Sequence, residues 1–164
     1  MNSEIIASLY DYGVWANERL LAQAAKLGEA ERERQFSQGR QSIHQTFVHL
    51  VSADWRWFAR WKGETPPPML TAADLPTLDT IRGKWAGLVG QRRAYIAGLS
   101  DADLREIIRW VMGAETRTLP RWQGLLQCAN HGTQHRAEIA AMLTDAGHSP
   151  GDIDYSVFCM AKTA

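Results

Sequence analysis

The chain has 164 residues, 45% of them hydrophobic and 22% charged, a composition that excludes a disordered or collagen-like chain and suits one globular domain over residues 1–164. Eighteen Lys and Arg balance eighteen Asp and Glu, so the basic field expected of a nucleic-acid binder is absent. No run of about 18 apolar residues offers a membrane span, Glu4 and Asp11 occupy the region where a secretory leader would be basic and apolar, and Cys128 and Cys159 are too few for a disulfide scaffold. The expectation is a cytoplasmic protein with reduced thiols.

In chain order, Asn2 to Leu27 reads as a long helix, with Ser3 as N-cap and Ile6, Leu9, Ala16, Leu20 and Ala24 following the 3.6-residue period up to Gly28. A charged stretch, Glu29 to Gln41, links it to a second helix capped by Ser42, where Ile43, Phe47, Leu50, Val51, Asp54, Phe58 and Trp61 share one face. Asp54 on that face needs an arginine or a helix N-terminus as partner. Gly63 and the run Pro66, Pro67, Pro68 stop this helix. A third helix is predicted from Thr77 to Leu99 with Leu78, Ile81, Trp85, Leu88, Arg92 and Tyr95 on its stripe, although Gly83, Gly87, Gly90 and Gly98 weaken its intrinsic propensity. From Glu106 to Thr118, β-branched and aromatic residues around Gly113 suggest a short hairpin. A fourth helix begins near Leu119, with Pro120 in its first turn, and ends at Gly147 and Pro150; the tail carries enough apolar surface to dock. Four long helices without a substantial sheet predict an all-α four-helix bundle with long connections and a short extended excursion before the fourth helix.

His131 and His135 stand four residues apart on that last helix, about 40° apart around its axis and about 6 Å along it, so both rings project from one face. Cys128, Ile139 and Met142 share the same arc, which turns the pair toward the bundle interior, where metal sites of helical bundles are built. A third ligand could come from His44, His49, His148 or an acidic residue, and periodicity does not choose among them. Cys128, one turn before His131, reads as a small buried thiol. Among the basic residues, Arg32, Arg34, Arg40, Arg92 and Arg93 read as scattered and solvated, and Arg136 as an anchor for a carboxylate across helices or a substrate contact. His44 and His148 are expected to titrate freely. Seven tryptophans speak first for packing, with some of their surface available to an interface.

Three stretches resemble the DinB/YfiT-like metalloenzymes: Tyr10-Asp11-Tyr12-Gly13-Val14-Trp15-Ala16-Asn17, Val48-His49-Leu50-Val51-Ser52-Ala53-Asp54 and Asn130-His131-Gly132-Thr133-Gln134-His135-Arg136. The tail Gly147-His148-Ser149-Pro150-Gly151-Asp152 is also similar to that family's ending. Gln134 departs from the pattern, standing where many members carry the first histidine of a pair. The resemblance implies His49 as the third metal ligand beside His131 and His135, a small-molecule substrate, a homodimer, and thiol-dependent S-transfer with a low-molecular-weight thiol as cosubstrate. A non-catalytic metal- or ligand-binding homodimer in a stress response is the alternative. Three imidazoles without a carboxylate favour zinc, with nickel next, and leave a coordination position open. No catalytic acid or base is assignable.

Overall fold

The computed structural model describes residues 3–36 and 41–163 of the chain. Four long helices carry the fold: α1 (Ser3–Ala24), α3 (Ile43–Trp61), α4 (Leu78–Ala97) and α6 (Arg121–Asp145). Helices α1 and α3 each pack on both α4 and α6, so the chain crosses the bundle diagonally between its first two long helices. This is the expected four-helix bundle. Its core is mainly apolar, with Trp61, Phe47, Ile6, Leu20, Leu125, Ile139 and Met142 fully buried. No helix among the described residues is long and apolar enough to cross a membrane.

Local chemistry sets the ends of the two helices that matter most for the site. Ser42 caps α3 in a capping box with Gln45, each side chain bonded to the other's backbone N–H. At the other end, Gly63 takes a φ of +76°, and the amides of Gly63 and Glu64 close on the carbonyls of Arg60 and Ala59. Helix α6 finishes the same way: Gly147 has a φ of +80°, and the amides of Gly147 and His148 close on Thr144 and Leu143. Both are Schellman motifs, whose left-handed residue an L side chain rarely adopts. The two helices therefore stop where Gly63 and Gly147 were read as breakers.

Several boundaries differ from expectation. Helix α1 ends at Ala24 rather than Leu27, and Gly28 instead serves as N-cap of a short α2 (Glu29–Glu33) within the presumed link. A second short helix, α5 (Asp101–Arg105), is capped by Ser100 with Asp103. The expected excursion is an antiparallel hairpin, β1 (Ile107–Met112) paired with β2 (Glu115–Pro120), turning at Gly113 and Ala114. Pro120 is the N-cap of α6 rather than a first-turn residue. The tail forms α7 (Tyr155–Thr163), which docks on α1 by seating Phe158 against Tyr12 and Trp15. Asn2 and Arg40 lie outside the described residues.

Among the seven tryptophans, Trp61 and Trp85 are core residues, and the other five are half-buried and bound into packing contacts. Trp57 meets Trp110 edge-on, tying α3 to the hairpin, with the Arg60 guanidinium above both rings. Lys84 lies 3.6 Å from the Trp55 ring centre, covering that indole from α4.

Candidate metal centre

Where α3 faces α6, the half-buried edge of each helix contributes histidine to one point. His49 comes from α3, and His131 and His135 from successive turns of α6. The Nε2 atoms of His49 and His131 are 3.2 Å apart, as are those of His135 and His131, and the three ligand nitrogens all fall within 4.8 Å of one another. Nitrogens bound tetrahedrally at about 2.0–2.1 Å from one ion would be spaced by about 3.3–3.4 Å. The observed spacing thus fits a metal the size of zinc.

Glu138, one turn beyond His135, orients that ring. Its Oε2 lies 2.7 Å from His135 Nδ1; a carboxylate oxygen can only accept, so Nδ1–H donates and the neutral ring keeps its lone pair on Nε2, toward the other histidines. Glu138 also accepts from Gln134 Nε2 at 3.3 Å. The sequence reading did not single out Glu138, although its spacing from His135 is the usual one for side chains that meet on a helix. Removing the carboxylate charge with Glu138→Gln is expected to weaken metal affinity about 10–100-fold at unchanged stoichiometry, as read by calorimetric zinc titration.

The electrostatics favour neutral rings. Burial, reinforced by His135 and His49, lowers the His131 pKa to about 4, against the opposing pull of Asp54 and Glu138. Burial and His135 also lower His49, with Glu138 opposing. A folded-state pKa below that of the unfolded chain means that unfolded His131 takes up its proton first as pH falls. In metal-free protein the contribution of His131 to stability is therefore complete above pH 6.5 and is lost between pH 6.5 and about 4, which urea denaturation across that range measures. Proton competition for a metal at His131 and His49 likewise sets in below the pH of about 6 expected of ordinary imidazoles.

The histidines open into a cleft of about 390 Å³ whose rim is polar, formed by Gln41, Thr46, Gln134 and Glu138. The remaining histidines stay apart. His44 is buried, donating from Nε2 to the Leu75 carbonyl at 2.8 Å with Glu33 at 3.5 Å from Nδ1. His148 is half-buried just after α6, and its amide completes the helix end.

Behind the cleft, one turn along α6 from His131, a buried polar cluster joins three helices. Asp54 Oδ2 accepts from Arg92 at 2.8 Å and from Trp85 Nε1 at 3.0 Å, and Asp54 Oδ1 accepts from Cys128 Sγ at 3.3 Å. Arg92, read as solvated, is only 5% exposed: the Asp54 requirement for an arginine is met by a residue whose own burial the pair makes tolerable. Burial alone would lower the Arg92 pKa, but Asp54, then Tyr10 and Cys128, more than reverse it. Burial, with Asp54 next, pushes the Cys128 thiol far up, so it stays protonated and donates to Asp54 rather than offering a thiolate ligand. Arg136 anchors no carboxylate among the described residues; its guanidinium stands 5.1 Å from the Tyr12 ring centre and donates to the Thr133 hydroxyl at 3.0 Å.

Comparison with known proteins bears on this arrangement. The sequence profile of the DinB family matches residues 1–163. The chain belongs to the DinB family. Within it, Protein DinB of Bacillus subtilis is 24% identical over 168 residues, covering 98% of both chains. Among solved structures, YfiT of Bacillus subtilis aligns over 88% of this chain and 86% of its own, at 19% identity and a TM-score of 0.60, and shares the fold. YfiT is described as a probable metal-dependent hydrolase with an unusual four-helix bundle topology.

Proposed function

We propose that this DinB-family chain is a divalent-metal-dependent enzyme acting on small molecules, with His49, His131 and His135 holding the ion. One observation carries the reading: three imidazoles from two helices bring their nitrogens to a common point in an open cleft. Zinc is the favoured metal and nickel the next, because an all-imidazole set does not suit magnesium or calcium. When bound, such an ion supplies Lewis acidity, lowering the pKa of a coordinated water or thiol so that either becomes a nucleophile near neutral pH.

The chain's own groups do the rest. His49 and His131 are held neutral by burial, so their lone pairs are free at physiological pH. Glu138 fixes the tautomer and direction of His135. Gln41, Thr46 and Gln134 offer neutral hydrogen-bonding contacts for a polar substrate at the rim. Among the described residues, Glu138 is the one titratable side chain lining the cleft apart from the three histidines, and it is engaged by His135. Metal coordination can deprotonate a thiol outright, and the family resemblance implies a low-molecular-weight thiol as cosubstrate. S-transfer from such a thiol to an electrophilic small molecule is therefore our first reading. Hydrolysis is the second, favoured by the description of YfiT.

Turnover of electrophiles by zinc- or nickel-loaded protein, with bacillithiol, mycothiol or glutathione and without any thiol, separates the two. Thiol- and metal-dependent product supports S-transfer; metal-dependent cleavage without thiol supports hydrolysis. Metal binding with neither activity would leave the non-catalytic homodimer of a stress response. A homodimer fits the exposed Ile107, Val111 and Met112 of the hairpin, and sedimentation of the purified protein tests it. A chain with two cysteines and no disulfide scaffold suits a cytoplasmic setting.

A further inference from the structure

On the side of α6 turned away from the histidines, a second concavity runs between α1 and α6. Ala129, Trp122 and Thr133 lie about 160–200° around the helix from His131, Gln127 reaches its near edge one turn before that histidine, and the groove and the histidine cleft have no lining residue in common. Its volume is about 630 Å³ and most of its lining is apolar, including Leu9, Tyr12, Trp122, Leu126 and Ala129. Arg136 lines it as well, and among the described residues is the single charged side chain to do so.

Arg136 is an unusual arginine. It is only 5% exposed, and among the described residues it has no carboxylate partner, whereas the equally buried Arg92 has Asp54 at 2.8 Å. Its Nε is buried without a hydrogen-bond partner. The Thr133 hydroxyl and the face of Tyr12 are neutral contacts. Room for the guanidinium comes from missing side chains: a Cβ on Gly132 would stand 2.8 Å from Arg136 Nη1, and one on Gly13 would stand 3.4 Å from it. Both helices thus make space for a buried cation that the protein leaves without a counter-charge.

We propose that the groove between α1 and α6 is a binding site for a small amphipathic carboxylate, its head on Arg136 and its apolar body along Leu9, Trp122 and Leu126. The chemistry follows from the lining. A planar guanidinium selects a carboxylate through paired hydrogen bonds, and an apolar wall beside it selects a hydrocarbon or aromatic body. Pairing with a bound anion would relieve the cost of holding Arg136 charged away from water. The site stands independently of the reaction assigned to the histidine cleft.

Octanoate, octanol and octylammonium, each titrated into zinc-loaded protein and followed by amide and indole chemical shifts, test it. Octanoate is expected to saturate, to shift Trp122, Ala129 and Thr133, and to bind at least about ten-fold more tightly than octanol, with octylammonium weakest. Arg136→Gln should remove that preference. Because this variant could also disturb packing, Thr133→Asp provides an independent arm: Thr133 is exposed, and an aspartate there supplies Arg136 with an internal carboxylate while keeping the arginine. Octanoate affinity should fall about ten-fold in Thr133→Asp, with octanol binding and the circular dichroism spectrum unchanged. Equal affinity for octanoate and octanol, undiminished octanoate binding in Thr133→Asp, shifts confined to the histidine cleft, or a dimer that covers the groove and excludes octanoate would each overturn the proposal.

Discussion

His131→Ala is expected to abolish both stoichiometric zinc binding and any metal-dependent turnover while leaving the bundle folded. His131 Nε2 stands between the other two, 3.2 Å from each, so its removal leaves His49 and His135 without a shared centre. The loss of affinity should exceed the roughly 10–100-fold expected for Glu138→Gln, because a ligand is lost rather than its orientation. Stability of the metal-free protein should change little or rise at mildly acidic pH. The replaced ring is the one whose low pKa sets unfolded protein against folded below pH 6.5. His44→Ala is the control: it should leave zinc stoichiometry at one per chain, since His44 bonds the Leu75 carbonyl and lies outside the cleft. Retention of full zinc affinity by His131→Ala would sink the three-histidine site.

The second large effect belongs to the polar cluster behind the cleft. Asp54→Ala leaves Arg92 buried without its carboxylate and deprives Trp85 and Cys128 of their acceptor. Removing one partner of a buried ion pair typically costs about 3–5 kcal/mol, and here the Arg92 and Asp54 side chains are 6% and 14% exposed. Urea denaturation of wild type and Asp54→Ala at pH 7 should show a loss of that size. Zinc stoichiometry should remain one, because Asp54 does not line the cleft. A loss under about 1 kcal/mol would mean that the pair is effectively solvated, as exposed ion pairs are.

Much of this was legible in the chain itself. The His131 and His135 spacing and the apolar arc around it placed two imidazoles on the inner edge of a helix, and the structure brings both rings together with His49. His49 was harder, because periodicity sorts residues into inside and outside, while ligands of an open cleft sit on the boundary. His44 and His49 are both beside the apolar stripe of α3, and only the packing of α2, the 64–77 connection and α6 around that helix sends one ring to the Leu75 carbonyl and the other to His131. The family resemblance chose His49 where periodicity could not.

Arg92 shows the same limit in another form. Asp54 announced that it needed a partner, yet choosing Arg92 among 18 basic residues required knowing that α3 and α4 are neighbours. The short helices were missed because five residues carry too little periodic pattern, although Ser100 followed three residues later by Asp103 was a readable capping signal for α5. Arg136 had two readings, a carboxylate anchor and a substrate contact, and choosing between them needed a negative observation. No sequence pattern reveals that a buried arginine will find no carboxylate among the described residues across the helices.

X-ray absorption at the zinc edge of the loaded protein addresses the central claim most directly. It should show three imidazole nitrogens at about 2.0–2.1 Å with one further light ligand and no sulfur. A shell containing sulfur, which would bring in Cys128, or one with fewer than three imidazoles, would contradict the assignment of His49, His131 and His135.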